Sequence, residues 1–351
     1  MTAVPLLDPS LQRSNRSSGT VNDALAAIAR GEPVVVLDDA GRENEGDLIL
    51  AAELVTPQTL AFVIRHTSGL VCVAMTGERL DHLDIPLMVG TNSAVLGTAF
   101  TVSVDHRAST TTGISAADRA GTIRALVDPS ARPEDFARPG HVFPLRSHPG
   151  GVLQRPGHTE AAVDLARLAG LAPAGVLAEI VNPDGTMARP EDLSRFADDH
   201  GLLLITVDEL VTHRRRHERL LQHVSRTALP TEFGPFTMHA FRSTLDGAEH
   251  VALVRGDLRR GGPILVHVHR ECLTGDVLGS TRCRCGNELR SALQRIASEG
   301  EGIVVYVRGQ DRDGTVAAQM LAELGVRTVR LLTGGRASGW DLADELMPWT
   351  V

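Results

Sequence analysis

Short runs of aliphatic and β-branched residues alternate along this chain with longer stretches in which apolar positions recur at helical spacing. A helical pattern over 24–30 leads into the β-branched run 34–37, and one over 60–66 leads into 70–74. Later, 158–169 precedes the strand-like 175–181, and 193–200 precedes 202–207. This alternation predicts a mixed α/β (α+β) domain over 21–207. From 208 the sequence turns charged and helical in period, carries the string His213-Arg214-Arg215-Arg216-His217, and reaches Pro230. The stretch 208–232 therefore reads as a connecting helix and linker. Strand-like segments at 236–242, 251–254, 264–268, 303–307 and 328–332, with helices at 287–299 and 316–324, predict a second, smaller α/β domain over 233–351. Residues 1–20, polar and holding several Ser and Arg, read as a mobile N-terminus.

Composition narrows what such a chain can do. With 351 residues, 42% of them hydrophobic, two cores can be built. A net charge of −8 argues against a general nucleic-acid binder, which needs a basic face. Apart from histidine, every basic side chain is Arg and none is Lys, so Schiff-base and lysine-nucleophile mechanisms are excluded. No apolar run approaches the ~20 residues that span a bilayer, and the first residues lack a signal-peptide apolar region. A cytoplasmic protein without a membrane partner is expected. Of the four cysteines, Cys272, Cys283 and Cys285 cluster while Cys72 stands apart, a pattern suited to a metal and not to a disulfide framework.

The run Asp38-Asp39-Ala40-Gly41-Arg42-Glu43-Asn44-Glu45-Gly46-Asp47 sets five carboxylates and one Arg at the end of a strand. Such a run is either a solvated acidic turn or an oxygen-rich site for a hard cation, with the Arg gripping a phosphate or a substrate oxygen. Two histidines lie in Gly/Pro-bounded loops, Gly140-His141-Val142-Phe143-Pro144 and Arg155-Pro156-Gly157-His158-Thr159-Glu160. The second loop opens a helix, where free backbone N–H groups beside Arg155 make an anion site; Thr159 could equally be a plain N-cap. The hydroxyl-rich 109–115 stands before a helix start at Ser115.

Across 38–47, 98–105, 110–119, 140–146, 155–170 and 175–189 the sequence resembles 3,4-dihydroxy-2-butanone 4-phosphate synthase. The resemblance implies cleavage of D-ribulose 5-phosphate to 3,4-dihydroxy-2-butanone 4-phosphate and formate in riboflavin biosynthesis, a lyase reaction using Mg²⁺ or Mn²⁺. It implies substrate contacts from Arg42, Glu43, Asp47, Glu179 and the run Arg155, Pro156, Gly157, His158 and Thr159. Glu43 and His158 are implied as the metal ligands, and His141, Glu179 and Asp47 as the catalytic groups. A homodimer with its site shared between subunits is implied as well. Proton abstraction beside a ketone, a skeletal rearrangement and expulsion of formate suit a site with several acids and bases and no covalent nucleophile.

In the second unit, Cys272, Cys283 and Cys285 have C-x10-C-x-C spacing, which would give zinc three thiolates and leave its fourth position open. Three reduced, metal-free cysteines are the alternative. This region resembles GTP cyclohydrolase II, with Glu271 also matching the family loop. It departs from the family at His267, Arg270 and Glu288, and the family's Glu-Gly-Arg phosphate loop is missing after 303–307. The segment Gln310-Asp311-Arg312-Asp313 is similar to the family's Asp-x-Arg-Asp, which aligns Arg312 with the nucleophile and Gln310 with the general base. A slip of one residue would bring Asp311 near instead. Thr333 stands where the family has a Thr followed shortly by a Lys. The resemblance thus implies a vestigial cyclohydrolase site at Glu271, Arg312 and Thr333. The expectation is a synthase whose second domain is a zinc, nucleotide-binding or dimerisation module; the alternative is a bifunctional enzyme that also hydrolyses GTP.

Overall fold

The computed structural model describes residues 19–258, 262–309 and 314–332. The chain divides into two compact units, with the boundary between His213 and Arg214.

The first unit runs α1 (Val21–Ala29), β1 (Val34–Leu37), β2 (Gly46–Ala51), α2 (Pro57–His66), β3 (Cys72–Met75), α3 (Gly77–His82), β4 (Val104–His106), α4 (Ala116–Val127), β5 (Phe136–Arg146), α5 (His158–Leu168), β6 (Ala174–Glu179), α6 (Pro190–His200), β7 (Leu203–Thr206) and the start of α7 (Val207–His217). Its seven strands form one mixed sheet in the order β4-β5-β3-β6-β2-β1-β7. Both faces of this sheet are covered. Val35, Leu48, Leu50, Val73 and Val176 point into a core shared with α2, α4 and α6. Val34, Val36, Ile49, Ala74 and Leu177 point into a second core shared with α1, α5 and α7. Covering on both faces explains why β1 reads Val-Val-Val-Leu without polar alternation. Each fully buried aliphatic side chain contributes about 1.5–3 kcal/mol.

Local signals set the ends of several helices. Thr20 and Asp23 form a capping box at α1, and Thr56 caps α2 with Pro57 in its first turn. Ser115 caps α4 by accepting the Asp118 N–H, the capping reading of the hydroxyl-rich stretch for that residue. Helix α5 differs, because its N-cap is Gly157 with no side-chain bond, and Thr159 lies inside the first turn. Thr159 is therefore not the cap.

The second unit contains β8 (Leu221–Thr231), β9 (Gly234–Ser243), β10 (Glu249–Arg255), β11 (Ile264–Arg270), α8 (Leu273–Asp276), α9 (Cys285–Glu299), β12 (Gly302–Val307), α10 (Thr315–Glu323) and β13 (Val329–Leu331). Its sheet has the order β13-β11-β12-β10-β9-β8, with α10 on one core and α9 on the other. The expected linker 208–232 is corrected here. Its first part continues α7, but its second part is β8, hydrogen-bonded along its length to β9. The sequence hides this strand because 222–228 are all exposed, so no apolar alternation marks an edge strand held by backbone bonds. Among the described residues no helix is long and apolar enough to cross a membrane. The predicted mobile segment 1–20 lies almost wholly outside the described residues.

One close approach seats the helix that opens the candidate site. A Cβ on Gly175 of β6 would lie 2.6 Å from the Ala162 carbonyl oxygen and 2.8 Å from its Cβ on α5. Gly175→Ala is expected to push α5 off the sheet and lower the unfolding free energy by about 1–3 kcal/mol. Urea unfolding followed by circular dichroism checks this; an unchanged midpoint would mean the helix yields at no cost.

Candidate active site

The acidic loop is a β1–β2 hairpin connection folded around its own first residue. Asp38 is buried, and its carboxylate accepts the backbone N–H groups of Glu43 (3.2 Å) and Glu45 (3.0 Å) and the Arg42 guanidinium (2.7 Å). Arg42 also pairs with the Glu43 carboxylate. The turn closes through Asn44 at φ +54°, a conformation Asn tolerates better than most residues. Arg189 donates to the carbonyls of Glu43 (2.9 Å) and Asn44 (2.8 Å) and stands 3.6 Å from the Glu45 carboxylate.

Behind this loop the sheet contributes two carboxylates. Asp47 on β2 and Glu179 on β6 are direct cross-strand partners. His158, the first residue of α5, places one ring nitrogen, Nε2, 3.0 Å from the Val36 carbonyl oxygen. Nε2–H donates to that oxygen, which turns Nδ1 toward the acids, 3.6 Å from both Glu43 Oε2 and Asp47 Oδ1. Arg42, Glu43, Glu45, Asp47, His158, Thr159 and Glu179 line one cleft together with Cys72, Thr98, Phe100, Leu145 and Leu177.

Electrostatics here follow from burial. Burial pushes Asp47 up to about 7, with Glu179, Glu43 and Asp38 adding to the shift and His158 opposing it. Glu43 falls to about 2 through its hydrogen bond to His158 and the charge of Arg42, against partial burial. For His158, burial disfavours the charged ring, yet Asp47, Glu43 and Asp38 outweigh it and carry the pKa to about 9. Burial also raises Glu45 against the pull of Arg189.

The donor set suits a hard divalent cation. Asp38, Glu43 and His158 offer atoms within 4.8 Å of one another. Asp38 already accepts three hydrogen bonds, whereas Asp47 Oδ1 is buried without a hydrogen-bond partner. The open donors are thus Glu43, His158 Nδ1 and Asp47 Oδ1, two carboxylates and one imidazole.

Anion-binding groups gather at the start of α5. A Cβ on Gly157 would lie 2.8 Å from Arg42 Nη2 and 2.9 Å from Arg155 Nη1, so only glycine lets both guanidinium groups close on the uncapped helix end. Arg155 is held by Glu160 (2.6 Å) and reaches Thr98 Oγ1 (3.4 Å), while Pro156 leads into Gly157. His141 is elsewhere. It lies on β5, half-exposed, hydrogen-bonded to Asp105, and is not among the residues lining the cleft.

In the second unit the sulfurs of Cys272, Cys283 and Cys285 converge within 4.8 Å, the donor set of a soft metal such as zinc. A Cβ on Gly275 would lie 2.7 Å from Cys283 Sγ, so a glycine clears space for them. Hydrogen bonds from Thr274, the Gly275 backbone and the neighbouring thiols lower Cys272 to about 7, while burial and the other two thiols push Cys285 up to about 12, so one thiol of the group gives up its proton first. Glu271 faces Arg308 at 3.2 Å. Gln310, Asp311, Arg312 and Thr333 lie outside the described residues.

Residues 22–213 match the family model for 3,4-dihydroxy-2-butanone 4-phosphate synthase, and 222–315 match that for GTP cyclohydrolase II. The chain is 52% identical over 354 residues to the riboflavin biosynthesis protein RibBA of Salinispora arenicola, covering 91% of this chain and 84% of that protein. It is similar in structure to RibBX, a two-domain 3,4-dihydroxy-2-butanone 4-phosphate synthase from A. baumannii, with TM-score 0.74 and 38% identity over 92% of this chain and 97% of that one. A 3,4-dihydroxy-2-butanone 4-phosphate synthase in complex with two magnesium ions aligns at TM-score 0.55 and 48% identity, covering 57% of this chain and 98% of that one.

Two supporting residues went unread in the sequence. Ser68 donates its hydroxyl to Glu179 Oε2 (2.8 Å) and its N–H to the Glu179 carbonyl (2.8 Å), and a lone Ser gives no pattern to find. Asp38 was visible only as one acid among five. Its anchoring role yields a prediction: Asp38→Ala should lower the unfolding free energy by about 2–4 kcal/mol, because it strands two backbone donors and leaves Arg42 with Glu43 alone. The exposed neighbour Asp39→Ala should stay within about 1 kcal/mol. Equal effects in denaturant unfolding would remove the anchor.

Proposed function

The chain belongs to the 3,4-dihydroxy-2-butanone 4-phosphate synthase family, and from that premise we propose that its first unit, residues 21–207, cleaves D-ribulose 5-phosphate to 3,4-dihydroxy-2-butanone 4-phosphate and formate with the residues described above. One observation carries the reading. Two carboxylates, an imidazole whose Nδ1 faces both of them, and an arginine-flanked helix start are gathered at a single cleft.

Arg42, Arg155 and Thr159 with the N-terminal turn of α5 hold the phosphate, and this fixes which end of the sugar meets the acids. Glu43 and His158 hold Mg²⁺ or Mn²⁺, and the magnesium-bound relative supports that choice of metal. When bound, the ion polarises the sugar oxygens and stabilises negative charge next to the ketone. Asp47, with a pKa of about 7, can both accept and return a proton near neutral pH. Glu179, on the strand beside Asp47 and held by Ser68, shares the proton traffic on the same side of the cleft. The proton that leaves carbon stays on a carboxyl in a cleft walled by Phe100, Leu145 and Leu177, which limits exchange with water.

His141 does not line this cleft, and its half-exposed ring supports a homodimer in which each subunit's His141 completes the other's site. For the second unit the proposal is a zinc-bearing module without cyclohydrolase turnover. Gln310, the absence of a Lys after Thr333 and the missing phosphate loop support it, as does likeness to RibBX, a two-domain synthase. The bifunctional reading rests on the family match over 222–315. A reducing cytoplasm suits the thiol cluster.

Purified protein incubated with D-ribulose 5-phosphate and a divalent metal should release formate and the four-carbon phosphate, and chelation with EDTA should abolish both. GTP in place of the sugar should release no formate; turnover of GTP at enzymatic rates would establish the bifunctional reading instead. The shared site has its own test. His141→Ala and Glu43→Ala proteins, each inactive, should recover about a quarter of wild-type activity after their subunits are exchanged by mixing, because half the dimers are mixed and carry one intact site each. No recovery despite proven exchange would place the whole site within one chain.

A further inference from the structure

His141 is held at two points by one carboxylate. Asp105 Oδ1 accepts the His141 backbone N–H at 2.9 Å, and Asp105 Oδ2 lies 2.7 Å from the ring Nδ1. Asp105 is buried on β4, whereas the His141 side chain is 41% exposed. Strands β4 and β5 pair through Val104–Val142 and Asp105–Ala137, and the register shifts between Val104 and Asp105. That irregularity lets Asp105 turn its side chain along β5 toward residue 141 and not across to its ladder partner.

The loop that closes over the pair is built to admit it. A Cβ on Gly113, at φ +92°, would lie 2.1 Å from Asp105 Oδ2 and 2.5 Å from His141 Nδ1. No side chain fits there. The loop is itself pinned by the buried Asp118, which accepts the Gly113 N–H at 3.0 Å and the Thr111 hydroxyl at 2.9 Å. Asp118 belongs to α4, whose N-cap Ser115 accepts the Asp118 N–H at 3.0 Å. A chain of contacts thus runs from a helix cap through a glycine wall to the Asp105–His141 pair.

A carboxylate beside Nδ1 dictates the tautomer of a neutral imidazole. Nδ1 must carry the proton, because a lone pair facing Asp105 Oδ2 would be repelled by it. Nε2 is then left with a free lone pair, directed away from the buried carboxylate. We propose that Asp105 is the positioning residue of the synthase reaction, holding His141 in the Nδ1–H form with Nε2 presented as the base. The proposal rests on the assignment of proton transfer to His141. It adds that this transfer runs through Nε2 alone, with Asp105 stabilising the imidazolium that forms and never taking the proton itself.

The test uses the full-length protein. Nitrogen-15 NMR of histidine-labelled protein, with His141 identified by its loss in His141→Gln, should show a protonated Nδ1 and an unprotonated Nε2 in the neutral ring. Asp105→Asn should reverse that pattern, because the amide can donate to Nδ1. It should also cut kcat by about 10²-fold or more while KM for ribulose 5-phosphate stays within about threefold, since the phosphate site is untouched. Asp105→Glu, which keeps the acceptor, should recover much of kcat. A wild-type ring protonated at Nε2 overturns the proposal even if Asp105→Asn fails to fold. Full kcat in Asp105→Asn beside an inactive His141→Gln overturns the positioning role alone. Full activity in His141→Gln overturns the role of His141 and the proposal with it.

Discussion

Several carboxylates can be buried at one end of a β-sheet only if cations are buried with them. In this protein Asp38, Glu43 and Asp47 converge where β1, β2 and β6 meet the start of α5, and His158 and Arg42 are the compensating groups. The balance is incomplete by design of the donor set. Asp38 is satisfied and holds the loop, while Asp47 keeps an oxygen without a hydrogen bond and a pKa near 7. Glu43 has the opposite shift because it is more exposed and sits against both cations. Like groups a few residues apart are thereby separated into a permanent anion and a group that titrates near neutrality, which is what a site moving protons needs.

The rest of the first unit serves that balance. Gly175 lets α5 sit on β6, which brings His158 under the end of β1, and the carbonyl of Val36 fixes its ring. Gly157 leaves the helix end uncapped and lets Arg42 and Arg155 approach it. The positive end of the helix and two guanidinium groups offset the acids a short distance away, so the cleft is acidic on one side and anion-binding on the other. A sugar phosphate matches this polarity along its own length.

Much of this was legible in the sequence, and what was not has identifiable causes. The strands buried on both faces, such as 34–37 and 303–307, announce themselves as apolar runs, and helices with a polar side show their period. Strand β2 begins with Gly46-Asp47 inside the acidic run, so its start was masked by the charged residues of the candidate site. Strand β8 escaped notice because backbone bonds, not side chains, hold it. At the site, Arg42, Glu43, Asp47, His158, Thr159 and Glu179 were all named from the sequence, and the fold gathers them around one cleft. Their supports were not named. Ser68 and Asp105 act through hydrogen bonds to residues 111 and 36 positions away, and such long-range pairings leave no periodic trace; Asp118 ties down a loop only 5 to 7 positions before it.

The two histidines implied by the same resemblance end in opposite environments, and the difference is physical. His158 is buried among carboxylates, with Nε2 spent on a backbone carbonyl and Nδ1 turned toward the acids. His141 is half-exposed, with Nδ1 spent on one carboxylate and Nε2 turned outward. In each ring the committed nitrogen decides what the free one can do. A free nitrogen facing several carboxylates is suited to share a cation with them, whereas a free nitrogen facing solvent is suited to exchange protons with whatever docks there. The proposed cleavage of a sugar phosphate by repeated proton transfer would use one group of each kind. The fold supplies them through which ring nitrogen each backbone or side-chain acceptor occupies.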